Sequence, residues 1–216
     1  HYDADAFDSD RMEVLSSMPG QGVELILNPG CDLKSSQTAV ELAERFPFVY
    51  AAVGVHPEEC ADWNAEHDIP VLEALAQDPK VRAIGEIGLD YHYEDIPRDI
   101  QKKAFVAQME LARELKKPVI VHEREAHQDG MDIVTAFPEV TGVFHCFSGS
   151  AEMAKWLVAR GWYVGFTGVL TFKNARRPLE AAAAVPLDRL LVETDCPYMA
   201  PEPLRGRRCD SSMIEF

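Results

Sequence analysis

The sequence predicts an α/β fold of the (β/α)8 TIM-like barrel class, a single domain over residues 1–216 that is incomplete at both ends. Three observations lead there. Short runs rich in Val, Ile, Leu and aromatics alternate with helical patterns, and no linker interrupts the rhythm. Four of those runs end in an acid or an imidazole, at Glu86, His122, His145 and Asp195, and strand ends are where a barrel gathers functional groups around one mouth. Finally, seven strand-like runs are one short of eight, and 216 residues fall below the roughly 250 of a usual barrel. The shortfall is placed at the termini. The chain opens on the loop-like acidic segment His1-Tyr2-Asp3-Ala4-Asp5 before a helix at Ser9–Ser17, and it stops at Phe216 where a closing helix would begin. A first strand and a last helix are therefore read as absent from these residues.

Each element follows from its local pattern. Val23–Asn28 reads as a strand and leads to a helix at Ser35–Phe46, whose Val40, Leu42, Ala43 and Phe46 form an apolar stripe. A strand at Val49–Val55 precedes a helix at Val71–Ala76. A strand at Val81–Ile87 precedes the long helix Pro97–Lys116, where Phe105, Met109, Leu111, Ala112 and Leu115 face the core while Lys102, Lys103, Glu110 and Glu114 stay wet. Strand Pro118–Val121 is followed by helix Asp129–Phe137, and strand Gly142–Phe147 by helix Ala151–Arg160. Ser148-Gly149-Ser150 supplies a cap for that last helix, and Gly161 closes it. Strand Trp162–Phe166, helix Pro178–Ala184 and strand Arg189–Glu193 complete the succession.

Composition narrows the function classes. Hydrophobic residues make up 47% of the chain and charged residues 26%, enough apolar material for one large core. No apolar stretch reaches the roughly 18 residues of a membrane span, and no basic-then-apolar leader opens the sequence, so the expected location is the cytoplasm, away from membranes. Cys31, Cys60, Cys146, Cys196 and Cys209 are odd in number and form no C-x-x-C pair, which argues for reduced thiols over a disulfide framework or a zinc knuckle. Cys146 and Cys196 adjoin candidate ligands, and both are read as packing residues. A formal charge of −15 opposes broad electrostatic capture of nucleic acid. A phosphate-bearing substrate would need local cations or bound metal.

The four strand-end groups meet that need. Glu86 lies in Ile84-Gly85-Glu86-Ile87-Gly88-Leu89-Asp90, where flanking glycines let the backbone crowd close to a ligand; an ion pair with Arg82 is the structural alternative. His122 follows Val119-Ile120-Val121 and His145 follows Gly142-Val143-Phe144. Either alone would be an ordinary hydrogen-bonded histidine. Asp195 ends Leu190-Leu191-Val192-Glu193-Thr194 and precedes Pro197; alone it would be a turn residue. Jointly, carboxylates and imidazoles are the donor set of a divalent cation. Glu86 has two oxygens that can bridge a metal pair, and Asp195 can bind one metal and take the proton from its water. Two further candidates are His56, before Pro57, and Arg124, which shares a strand face with His122 and can grip a phosphate bidentately or pair with Glu123 or Glu125. Lys173, Arg176 and Arg177, with Arg205, Arg207 and Arg208, form two loop clusters that either contact a nucleic-acid backbone or are simply solvated. His67, His92 and His127 fall outside the strand-end pattern and receive no ligand role.

Five segments in order, Gly54-Val55-His56-Pro57, Ile84 to Tyr91, Val121-His122-Glu123-Arg124, His145-Cys146-Phe147-Ser148-Gly149 and Glu193-Thr194-Asp195-Cys196-Pro197-Tyr198, closely resemble those of TatD-type metal-dependent deoxyribonucleases of the amidohydrolase superfamily. The resemblance runs from His1 to Phe216. It implies a (β/α) barrel carrying two divalent ions, with Mg²⁺ in turnover and Zn²⁺ or Mn²⁺ as alternatives. It also implies hydrolysis of DNA phosphodiesters by a metal-activated water, as a 3′-to-5′ exonuclease on strands that are single or frayed at the 3′ end, with no obligate protein partner. By position, Glu86 would be shared between metals, His122 and His145 would hold one, and Asp195 the other. His56 would contact the scissile phosphate. His1 matches the second histidine of the family's opening Asp-x-His-x-His, and the first is not in the sequence. Amidohydrolase-type barrels also cleave amides, lactones and aminoacyl esters, and a barrel with an impaired metal site would be non-catalytic. These stand as alternative functions.

Overall fold

The computed structural model describes residues 1–216. Seven strands, β1 (Ile26–Pro29), β2 (Val49–Val53), β3 (Val81–Asp90), β4 (Val119–Arg124), β5 (Gly142–Phe144), β6 (Tyr163–Phe166) and β7 (Leu190–Val192), follow one another in the sheet in chain order. The pairs β2–β3, β3–β4 and β6–β7 are parallel. Helix α1 (Arg11–Ser17) precedes the strands, and α2 (Leu33–Arg45), α3 (Ala65–Leu75), α4 (Arg98–Leu115), α5 (His127–Thr135), α6 (Ala151–Val158) and α7 (Arg176–Ala184) are the crossovers. This is the TIM-like α/β succession, since parallel neighbours need a helix-length return between them. No helix is long and apolar enough to cross a membrane. Leu191 and Val192 on β7 are exposed, in keeping with that strand's terminal place in the order.

Chain contacts separate two compact units, Leu27–Val143 and a second built from His1–Ile26 with Phe144–Phe216. In the first, α2 starts where Asp32 accepts from the Ser35 amide at 2.6 Å while the Ser35 hydroxyl accepts from the Asp32 amide at 2.9 Å, a reciprocal capping box. Its Ala39, Val40, Leu42 and Ala43 are buried. Helix α4 buries Phe105, Met109, Leu111 and Ala112 as its stripe predicts. Fully burying such a side chain contributes roughly 1.5–3 kcal/mol. The same face carries two buried glutamines. The Gln108 amide accepts from Val55 N at 2.7 Å and donates to Val55 O at 3.0 Å. The Gln101 amide accepts from Asp90 N and donates to Asp90 O, both at 2.9 Å. Each amide thus completes the backbone bonding of a strand end that carries a candidate site residue, next to His56 in one case and at Asp90 in the other.

Several boundaries differ from the sequence reading for identifiable reasons. Strand β3 continues to Asp90 and β4 to Arg124, past Ile87 and Val121, because the polar residues there stay on the ladder. Their register pairs Gly88 with His122 and Asp90 with Arg124. Helix α3 begins at Ala65 rather than Val71. Asn64 caps it by accepting from Glu66 N at 3.1 Å, and Pro70 is tolerated inside. In the second unit, β5 stops at Phe144 and β7 at Val192, leaving His145 and Asp195 in the connections. Helix α6 has its expected cap, Ser150 accepting from Met153 N at 3.2 Å, and Gly161 takes a φ of 87° just past its end. The N-terminal segment is held by Tyr2, whose hydroxyl is 2.9 Å from both the Oγ and the amide of Ser211.

Candidate active site

Within Leu27–Val143 the structure assembles Glu86, His56 and His122. Glu86 sits where the β3–β4 register slips, Ile84 pairing with Val119 but Ile87 with Val121, so the extra residue of β3 falls at Gly85–Glu86. Such bulges re-aim a side chain beside a site. The neighbouring glycines let β3 and β4 approach closely. A methyl group on Gly88 would overlap the His122 carbonyl, and one on Gly85 would lie 2.7 Å from the Ile120 Cβ. Glu86 is 2% exposed. Its Oε1 is 3.3 Å from His56 Nε2 and 3.1 Å from His122 Nδ1. Arg82, the alternative ion-pair partner for Glu86, lies over the Tyr50 ring instead.

Hydrogen bonds fix how each imidazole faces that carboxylate. His56 Nδ1 accepts from the Glu58 amide at 3.1 Å, so Nε2 carries the proton and donates to Glu86. His122 is held by two carboxylates, with Nε2 at 2.8 Å from Asp90 Oδ2 and Nδ1 facing Glu86. A neutral imidazole has one N–H and one lone pair, so it satisfies only one of them as a donor. The other approach requires a second ring proton or a cation. Orienting a metal-binding imidazole through its far nitrogen with a buried carboxylate is the usual outer-shell arrangement, and these donors fit a divalent cation.

Asp90 is 1% exposed and accepts from the amides of His92 and Tyr93 at 2.9 and 3.3 Å. Burial alone would raise its carboxyl; the His122 contact and those two amides bring it down to about 2, so it is ionised at neutral pH. Glu58 joins the same rim. His56, Glu58 and His122 offer ligand atoms all within 4.8 Å of one another. Partial burial and the charge of Asp90 raise the Glu58 carboxyl above the ordinary value. The rings of His56 and His122 are 4.3 Å apart. Arg124, on the His122 face of β4, pairs with neither Glu123 nor Glu125. Glu123 takes His127 Nδ1 at 2.6 Å and Glu125 takes His92 Nδ1 at 2.8 Å, while Arg124 lies 5.2 Å from the Tyr93 ring centre.

In the second unit, His1 Nε2 lies 3.3 Å from Asp195 Oδ1, bringing two predicted ligands together. His145 Nδ1 faces Glu193 Oε1 at 3.6 Å, and Glu193 also accepts from the Cys146 amide. A Cβ on Gly165 would come within 2.7 Å of the Glu193 carboxylate and would displace it. Cys196 is buried, and burial pushes the Cys146 thiol up to about 12, so both remain protonated packing groups. The predicted basic clusters divide. Arg208 makes a bidentate pair with Asp10 at 2.6 and 2.8 Å, Arg176 pairs with Glu180 at 2.9 Å, and Arg205 stacks 3.8 Å from the Phe172 ring centre. Arg208 is thus a structural tie, a role set by a partner far away in sequence.

Two positioning residues, Asp90 and Glu193, and the rim residue Glu58 were missed in the sequence. Asp90 and Glu193 stood inside recognised segments. For Asp90, four residues beyond Glu86 on β3, strand alternation was the available signal; Glu193 lies past the end of β7 and had none.

A family model described as TatD related DNase matches residues 1–216. The chain is 41% identical over 221 residues to the uncharacterized metal-dependent hydrolase YabD of Bacillus subtilis, covering 100% of this chain and 85% of that protein. It is 37% identical over 203 residues to the 3′-5′ ssDNA/RNA exonuclease TatD of Escherichia coli K12, covering 92% and 77%. Among solved structures, the TatD homologue YjjV of E. coli K12 superposes with a TM-score of 0.92 at 29% identity, covering 99% of this chain and 83% of the other. With His122 set between the buried Glu86 and Asp90 carboxylates, and a family match that runs the full length, the chain belongs to the TatD-related DNase family of metal-dependent hydrolases.

Proposed function

We propose that this protein hydrolyses DNA phosphodiesters with divalent metal ions, as a 3′-to-5′ exonuclease acting on single-stranded or frayed 3′ ends, within one domain over residues 1–216. One observation carries the reading: His122 lies between the Glu86 and Asp90 carboxylates, a buried donor set suited to a divalent cation. The E. coli relative, a 3′-5′ ssDNA/RNA exonuclease, suggests the substrate class. Glu86, His122, His145, Asp195 and His1 are the proposed ligands of two ions, Mg²⁺ in turnover, with Zn²⁺ or Mn²⁺ also suited to the imidazoles. Bound divalent ions acidify water and offset the charge that grows on an attacked phosphate.

The protein's own groups do the remainder. Asp195 accepts the proton of the attacking water, and Glu86 holds its carboxylate where His56 and His122 converge. His56, whose Nδ1 is fixed by the Glu58 amide and whose Nε2 faces Glu86 in the free protein, turns its Nε2–H from that carboxylate to the scissile phosphate when substrate binds. Arg124, whose guanidinium lies over the Tyr93 ring, grips a phosphate oxygen pair through its N–H groups. Five free thiols are compatible with a cytoplasmic setting.

The test is activity after chelation. Protein stripped of metal is expected to lose hydrolysis of a 3′-labelled single-stranded oligonucleotide and to regain it with Mg²⁺ or Mn²⁺, releasing nucleotides from the 3′ end. The same samples are assayed on RNA, a lactone and an aminoacyl ester. Restored turnover confined to the lactone or ester would overturn the phosphodiester assignment, and no turnover on any of them would overturn catalysis.

A further inference from the structure

The connection leaving β3 carries an aromatic pair that the proposed chemistry does not use. Tyr93 is 46% exposed although it lies beside the buried centre. Its position is fixed from three directions. The Tyr93 amide donates to Asp90 Oδ1 at 3.3 Å and the His92 amide to the same oxygen at 2.9 Å, so the turn is anchored on the carboxylate that orients His122. The His92 ring meets the Tyr93 ring at 83° with centres 4.9 Å apart, and His92 is itself held by Glu125 at 2.8 Å. The Arg124 guanidinium lies over the Tyr93 ring at 5.2 Å.

An exposed tyrosine that is merely solvated needs none of this. A ring with a guanidinium over it and an imidazole set at a steep angle beside it loses little freedom on binding, which favours a planar ligand. The guanidinium over the ring also carries five N–H donors suited to phosphate oxygens. One surface therefore offers a π-face and an anion grip side by side, the combination that single-stranded nucleic acid requires: stacking for the base and cationic contact for the backbone. Duplex DNA, whose bases are stacked internally, cannot use the ring without being opened.

We propose that Tyr93, backed by Arg124 and steadied by His92, is the stacking surface for a nucleobase adjoining the scissile phosphate, and so selects unpaired strand ends. This rests on the nucleic-acid reading above. Stacking tolerates every base, so the preference is for an unstacked base over no base, with little sequence dependence.

The test compares strands with a normal nucleotide and with an abasic residue at either position flanking the scissile phosphate. Wild-type protein is expected to favour the base-bearing strand in kcat/KM by roughly five- to a hundredfold. In Tyr93→Leu that ratio collapses toward one, and in Tyr93→Phe it is kept. Because both strands share the phosphate contact to Arg124, a general disturbance of the site cancels in the ratio. A second readout does not need turnover. A phosphorothioate strand carrying 2-aminopurine at the flanking position should be quenched on binding wild type and Tyr93→Phe, and not on binding Tyr93→Leu. Equal ratios and equal quenching in wild type and Tyr93→Leu would overturn the stacking surface while leaving the nuclease assignment intact. Wild-type protein that neither binds nor cleaves any oligonucleotide would overturn both.

Discussion

Glu86→Ala is expected to lower metal-dependent turnover by roughly a thousandfold or more, the range seen when a principal electrostatic element of a hydrolytic site is removed. The carboxylate is 2% exposed and both His56 and His122 are directed at it, so no water or neighbouring acid takes over its place by a small movement. The loss should come with reduced metal content rather than with unfolding. Placing an ionised carboxylate in so dry a position is itself costly, by several kcal/mol before its partners compensate. Relief of that cost opposes the loss of the His56 and His122 contacts, so the metal-free variant is expected to stay folded, with a cooperative melt close to that of metal-free wild type. Added Mg²⁺ or Mn²⁺ should raise the melting temperature of wild type, because a ligand that binds only the folded state stabilises it, and should leave Glu86→Ala unmoved. Thermal shift with metal analysis and turnover separates the possibilities. A folded Glu86→Ala protein with near-normal turnover and an undiminished metal response would remove Glu86 from the site.

Asp195→Asn is the second large effect. The substitution keeps the shape that faces His1 at 3.3 Å but removes both the negative charge and the proton-accepting oxygen. A positioned base typically contributes 10²–10⁴-fold, so kcat is expected to fall by about that factor with KM for the oligonucleotide changed only a few-fold. Steady-state kinetics on the single-stranded substrate checks it. A kcat within about threefold of wild type would assign proton transfer elsewhere.

The alternation of strands and helices was legible because each strand core is a short continuous apolar run, as parallel strands covered on both sides must be. The ends of β3 and β4 were not legible. Asp90, His122 and Arg124 are polar, and a polar residue after an apolar run reads as a loop even when the backbone ladder continues beneath it. Helix α3 starts upstream of the Val71 read from the sequence, because the Asn64 cap opens it at Ala65 and Pro70 is accommodated inside.

For the site, residue type and strand-end placement led to Glu86, His56 and His122, which the structure brings together. The roles of Asp90 and Glu193 escaped, because each acts through a histidine on another strand or connection, His122 for Asp90 and His145 for Glu193. Pairing of that kind depends on register, which a single sequence does not state. Arg208 shows the opposite error: its charge looked available until Asp10, almost the whole chain away, was seen to hold it.

The central claim is that Glu86 and His122 jointly hold a divalent ion. Anomalous diffraction from crystals equilibrated with Mn²⁺ tests it most directly. The account predicts a peak at a bonding distance of roughly 2.0–2.2 Å from a Glu86 carboxylate oxygen and a ring nitrogen of His122, with the other nitrogen still on Asp90. Saturating Mn²⁺ with no peak between those side chains, and the direct 3.1 Å contact of His122 with Glu86 unchanged, would contradict it.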